Sequence, residues 1–216
     1  MQSADPYLNL WLAGLVIVLL AGLNAPLGLV AVQLVIAGMG IATRPDLVWI
    51  VGPVMLWVWI GALALQFAAD LYFIPATAKD RSYLNPQRVV NAYLHARFQS
   101  LVRPAAAALA FAALPLPLPA QSAAVIGFVG GAAVYWTTAW IREQVAISRG
   151  ALLLVLLELG KELAGLIIAG LVAFLPLVAL ALVLGPALLT TLWAARLQRE
   201  RSLYGPLGGQ VASEDS

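Results

Sequence analysis

Apolar positions run almost unbroken along this chain, and the polar residues that interrupt them set its elements. From Pro6 to Thr43 no charged residue appears. One membrane-spanning helix needs about 20 residues and two need roughly 40 plus a turn. The run is too long for one helix and marginal for two. Its interruption is "GLNAP", Gly22 to Pro26. Pro26 removes a backbone donor and biases Ala25 away from helical geometry. Asn24 is placed to fill the gap or to cap the second half. Leu8–Leu23 and Pro26–Ala42 are each near the lower limit for crossing. The pattern therefore favours a single broken, tilted span, or a re-entrant half-helix followed by a span, over a full hairpin.

Further along, apolar runs predict five more spans. The expected architecture is an all-α, polytopic transmembrane bundle of about six spans, 10–42 (broken), 47–71, 104–120, 122–141, 150–174 and 176–195. The third ends in "PLPLP", Pro115 to Pro119, through which no helix continues. Between spans two and three, "NPQRVVNAYLHARFQSLVRP" starts with Asn85 as a candidate N-cap and Pro86 at the first helical position. Val90, Leu94, Phe98 and Leu101 recur at helical spacing, opposite a polar stripe of Asn91, His95, Gln99 and Arg103. That pattern predicts a cytoplasmic amphipathic helix over 86–103, lying in the membrane interface. Arg88, His95, Arg97 and Arg103 would contact anionic lipid head groups or a partner subunit. One transmembrane domain over 1–200 is expected, with a disordered cytoplasmic tail over 201–216.

Composition agrees. Hydrophobic residues make up 62% of the chain and charged residues 10%, against about a quarter charged in soluble domains. The first residues hold no Lys or Arg, which argues against a cleaved secretory signal. No cysteine is present, so disulfides, thiolate metal sites and iron–sulfur clusters are excluded. Charge also orients the spans. Lys79, Arg81, Arg88, Arg97, Arg103, Arg142, Arg149, Arg196, Arg199 and Arg201 fall on one side of this arrangement, and only Arg44 on the other. That asymmetry places both termini in the cytoplasm. A hairpin at "GLNAP" would move the N-terminus alone across the membrane.

Glu158, Lys161 and Glu162 sit near the middle of the fifth span, where each charge costs a few kcal/mol. Glu158 and Glu162 share one face and Lys161 is in reach of Glu158. One negative charge is then left over, unless a carboxyl is protonated or another span supplies a cation. Asn24, Asp70, Glu158, Lys161 and Glu162 form the candidate ion or solute site. The competing reading is polar glue between helices, with the break at Asn24 a packing kink and Asp70 an anchor for the following loop. Transporters use broken helices to present backbone groups to a solute. Gly127 with Gly131, and Gly165 with Ala169, mark close helix approaches.

Four segments together resemble a known family. "AGLNAPLGL" (21–29), "FAADLYFIP" (67–75), "LVRPAAAAL" (101–109) and "LELGKELAG" (157–165) are similar to motifs of the bacterial membrane family called domain of unknown function 4126. Leu71 stands where that family usually has Lys, and no Asp follows Glu158. The resemblance implies a bacterial inner-membrane location and singles out Asn24, Asp70, Arg103 and Glu158. It implies no activity.

The expected function is permeation of a small ion or solute, through a site between the broken first span and the acidic fifth. The alternative is a non-catalytic accessory subunit of a larger membrane complex, docked through helix 86–103. An enzyme is not favoured: no HExxH or Walker motif occurs, and the lone His95 allows neither a Ser-His-Asp set nor a two-histidine metal site. No cofactor, catalytic residue, metal or nucleic acid is expected. The expected partners are the lipid bilayer, anionic lipid at 86–103, and a second copy or other membrane subunits.

Overall fold

One extended residue turns the chain back on itself near its start. The computed structural model describes residues 6–77, 86–149 and 151–211. Among them are seven α-helices, one 3₁₀ helix and no strand. Helix α1 (Pro6–Leu23) and helix α2 (Ala25–Met39) are separated by Asn24 alone, at φ −154° and ψ 118°. Gly28 in α2 lies against Ala21 in α1, so close that a Cβ on Gly28 would stand 2.3 Å from the Ala21 Cβ. In a continuous helix those residues would be about 10 Å apart, so α1 and α2 form a hairpin. Asn24 makes no side-chain cap on α2. At 18 and 15 residues, the two arms are only about 27 and 22 Å long, short of a hydrocarbon core of about 30 Å.

A 3₁₀ helix (Pro45–Val51) follows, then α3 (Pro53–Thr77), α4 (Pro86–Ala113), α5 (Ala120–Arg149), α6 (Ala151–Leu171) and α7 (Pro176–Val211). Helices α3 to α7 run alternately up and down around the hairpin. One end of the bundle, the proline end, gathers the start of α1, the end of α2 and the loop between α4 and α5. There Trp11 packs on Phe111 with ring centroids 6.0 Å apart, and Gly38 meets Ala173. Arg44 donates through Nε to the Leu114 carbonyl at 3.1 Å and through Nη2 to the Leu116 and Leu118 carbonyls at 3.2 and 2.6 Å. Arg44 thus satisfies carbonyls that the prolines leave without helical donors. Gly40, at φ 63°, closes α2 in the left-handed conformation that favours glycine.

The hairpin corner stops part-way along the bundle, with Gly22 on Gly131 and Val134 of α5. A Cβ on Gly127 would come within 2.5 Å of the Ala107 carbonyl oxygen, and one on Gly131 within 2.5 Å of the Ala107 Cβ. Both expected close approaches of α5 are therefore contacts with α4, and Gly165 packs on Leu27. Val16, Ile17, Leu20, Leu27, Val32, Val35 and Phe111 are fully buried between the hairpin and the proline end.

Several expectations change. Three described helices, not six, have the length and apolar composition to cross a membrane: Pro53–Phe73, Ala120–Ala146 and Pro176–Ser202. The hairpin arms are shorter, and α6 holds the three charges Glu158, Lys161 and Glu162. The interfacial helix and third span are one helix, α4, continuing through Pro104. Its apolar stripe is the outward face, with Val90, Leu94, Phe98 and Leu101 all exposed. His95, Gln99 and Arg103 turn inward. An apolar face outside with the polar one inside is the arrangement that suits apolar surroundings rather than water. Residues 142–149 are the last turns of α5 rather than a loop, and α7 continues as helix through 201–211, where a disordered tail is expected. Because α1–α2 is a hairpin, the start of α1 and the end of α7 lie at opposite ends of the bundle. Asn85, Lys79, Arg81 and residues 212–216 lie outside the described residues.

Candidate functional site

Beneath the hairpin corner, six charged side chains from four helices meet in the interior. Asp70 projects from α3, Arg103 from α4, Arg142 from α5, and Glu158, Lys161 and Glu162 from α6. Asp70, Arg103, Glu158 and Glu162 are all buried. Asp70 Oδ2 accepts from Arg103 Nη2 at 3.1 Å, and its Oδ1 accepts from His95 Nε2 at 3.0 Å. Glu158 Oε1 pairs with Arg142 Nε at 2.5 Å and its Oε2 with the Lys161 ammonium. Lys161 also faces Glu162 Oε1 at 3.3 Å. From the corner, Asn24 Nδ2 donates to both Glu162 oxygens at 3.0 and 3.1 Å. Arg142 Nη2 stands 3.8 Å from Asp70 Oδ2, linking the two halves of the network.

Three carboxylates face two guanidinium groups and one lysine. The negative charge left over when α6 is read alone is offset by Arg103 and Arg142. Such balance is what burial demands, since an unpaired interior charge costs several kcal/mol. Further polar groups hold the geometry. Gln99 Oε1 accepts from Arg103 Nε at 3.1 Å, and Tyr135 lies under the Arg103 guanidinium, 5.6 Å from centroid to Cζ. The Tyr135 hydroxyl donates to the Ala96 carbonyl at 2.6 Å, tying α5 to α4. Phe73 stacks near His95, with centroids 5.0 Å apart.

All five residues of the candidate ion or solute site, Asn24, Asp70, Glu158, Lys161 and Glu162, fall in this network. Of the four proposed interfacial contacts, His95 and Arg103 belong to it as well and turn into the bundle. Arg97 is exposed and bonds Tyr93 Oη at 2.8 Å. The side chain of Arg88 lies outside the described residues. Arg142 is the member that sequence reasoning misses, because it stands among the basic residues that orient the chain. The signal for it was the unmatched negative charge of α6.

The Asp70, Glu158 and Glu162 carboxylates approach within 4.8 Å of one another, which is ligand spacing for a cation. In this structure those oxygens are paired with Arg103, Arg142 and Lys161. Beside the network a cleft of about 290 Å³ opens between α3, α4, α5 and α6. Asp70, His95, Arg103, Arg142 and Glu158 line it, together with Gln99, Thr138 and Glu143. Toward the proline end, the apolar core described above closes the interior.

The chain matches no family model, no curated protein and no solved structure.

Proposed function

We propose that the chain is a membrane permeation protein for a small ion or solute, with the cleft and its ionic network as the site. The observation that supports this is the network's position as the wall of a cleft. A charge cluster that only glues helices together is best sealed on every side. This one borders open volume, near the low end of the size range of ligand pockets. The hairpin adds a second support. It reaches the network from the proline end and stops there, and broken helices meeting at mid-depth are a transporter device.

In this reading α3 to α7 cross the bilayer and α1–α2 is re-entrant. The end holding Arg196, Arg199 and Arg201 faces the cytoplasm, and the start of α1 faces the opposite compartment. The outward stripe of α4 contacts acyl chains, while exposed Arg97 is placed for an anionic head group. The accessory-subunit reading loses its main support, because His95, Gln99 and Arg103 are turned inward and are not available for docking.

Flux through proteoliposomes tests the proposal. Stopped-flow light scattering would follow relaxation after a shock with potassium acetate, phosphate or chloride. Glu162→Gln keeps the shape of the side chain and breaks the charge balance at the hairpin corner. Flux of the permeant salt is expected to fall about tenfold or more, with the protein still folded in detergent. Undiminished flux in the variant, or none above empty liposomes in the parent chain, would refute permeation through this site.

A further inference from the structure

We infer that the floor of the cleft receives a small oxyanion, a carboxylate or a phosphate, on the edge of Arg142 that Glu158 leaves free. The inference rests on the proposed reading of the cleft as the site, and it follows from counting donors against acceptors.

Every carboxylate oxygen of the network has a donor. Asp70 takes His95 and Arg103, Glu158 takes Arg142 and Lys161, and Glu162 takes Asn24 on both oxygens. A cation entering the cleft would have to share oxygens that each already accept from a donor. The donor side is different. A guanidinium carries five N–H groups in a planar fork, and Arg142 commits its Nε to Glu158. Its Nη2 has no hydrogen-bond partner and is shielded from solvent. The contact with Asp70 Oδ2, at 3.8 Å, is too long for a hydrogen bond. Arg142 nevertheless lines the cleft, with 34% of its side chain exposed. Arg103 and His95 stand on the same wall. Uncommitted guanidinium donors recognise planar or tetrahedral oxyanions. A phosphate or a small carboxylate fits within the cleft volume. The oxyanion chemistry is shared by a free anion and by a lipid head-group phosphate at the cleft mouth.

Calorimetric titration of the purified full chain tests the inference. The probes are sodium phosphate and sodium acetate, at ionic strength matched with sodium chloride, in nanodiscs of phosphatidylcholine and of phosphatidylglycerol. Saturable binding of phosphate or acetate is expected in phosphatidylcholine discs. Unchanged binding in phosphatidylglycerol discs assigns the site to a free anion, and competition there assigns it to the head-group phosphate. Arg142→Lys keeps the charge and loses the fork, and is expected to weaken binding roughly tenfold.

A second variant avoids any folding defect at Arg142. Glu143 is exposed on the cleft wall, so Glu143→Gln removes a negative charge without disturbing the network. Anion binding should then tighten about two- to threefold. Weaker binding in Glu143→Gln, or no saturable binding of either probe in any disc, overturns the inference. Anion binding without flux overturns permeation and leaves this receptor standing. Cation flux without anion binding does the reverse.

Discussion

Asp70→Asn is expected to destabilise the folded bundle by about 3–5 kcal/mol, among the largest single-residue losses in this chain. Arg103 is 1% exposed and would keep its burial while losing the carboxylate 3.1 Å from its Nη2. Removing one partner of a buried pair leaves a naked charge, which costs more than the pair ever contributed. The unfolded reference in a bilayer is a set of inserted helices that find other polar partners, so the loss should fall toward the lower end of that range. Arg103→Leu alone strands Asp70 in the same way, with Arg142 at 3.8 Å as its remaining strong cation. The double variant strands neither and should recover about 1–3 kcal/mol relative to the sum of the singles. Thermal unfolding in detergent of all four proteins measures this. Strict additivity would show that the two charges do not interact.

Gly28→Ala is the second large effect, and it acts through shape alone. The added Cβ would stand 2.3 Å from the Ala21 Cβ, 2.6 Å from its Cα and 2.8 Å from its backbone nitrogen. No rotamer change relieves a clash with backbone, so the arms must part at the corner. A loss of about 1–3 kcal/mol is expected, and Asn24 should drift from Glu162 as the corner opens. Gly160→Ala supplies the control. It lies on a helix of the same bundle where an added Cβ meets nothing, so it should be neutral or slightly stabilising. Equal melting temperatures for the two variants would mean that the hairpin is not closed as described.

Which parts of this arrangement were legible beforehand follows from what each signal depends on. The break at Asn24 and the charges of α6 are visible because polar groups in an apolar run are costly wherever the run folds. Gly127, Gly131 and Gly165 were legible for a similar local reason. The sense of the turn at Asn24 was not legible. A kink and a reversal use the same residues, and only the packing of Gly28 on Ala21 distinguishes them. The inward face of α4 is not legible, because an amphipathic stripe does not say which side meets protein. With α4 packed in the bundle, His95, Gln99 and Arg103 turn toward the buried charges of α3, α5 and α6. Arg142 was hidden by the rule that oriented the chain. Counting it as a loop cation removed it from the charge balance of α6, where it belongs.

The hairpin and the cleft make one joint statement about access. Leu8 stands at the proline end, exposed at the start of α1, and Glu143 stands at the mouth of the cleft near the opposite end. The sequence contains no cysteine, so Leu8→Cys and Glu143→Cys each give a single labelling site without further changes. Sealed vesicles of known orientation would be treated with a membrane-impermeant maleimide from one side at a time. Labelling of the two positions from opposite faces is expected. Labelling of both from the same face would contradict the re-entrant hairpin, and with it the site built beneath its corner.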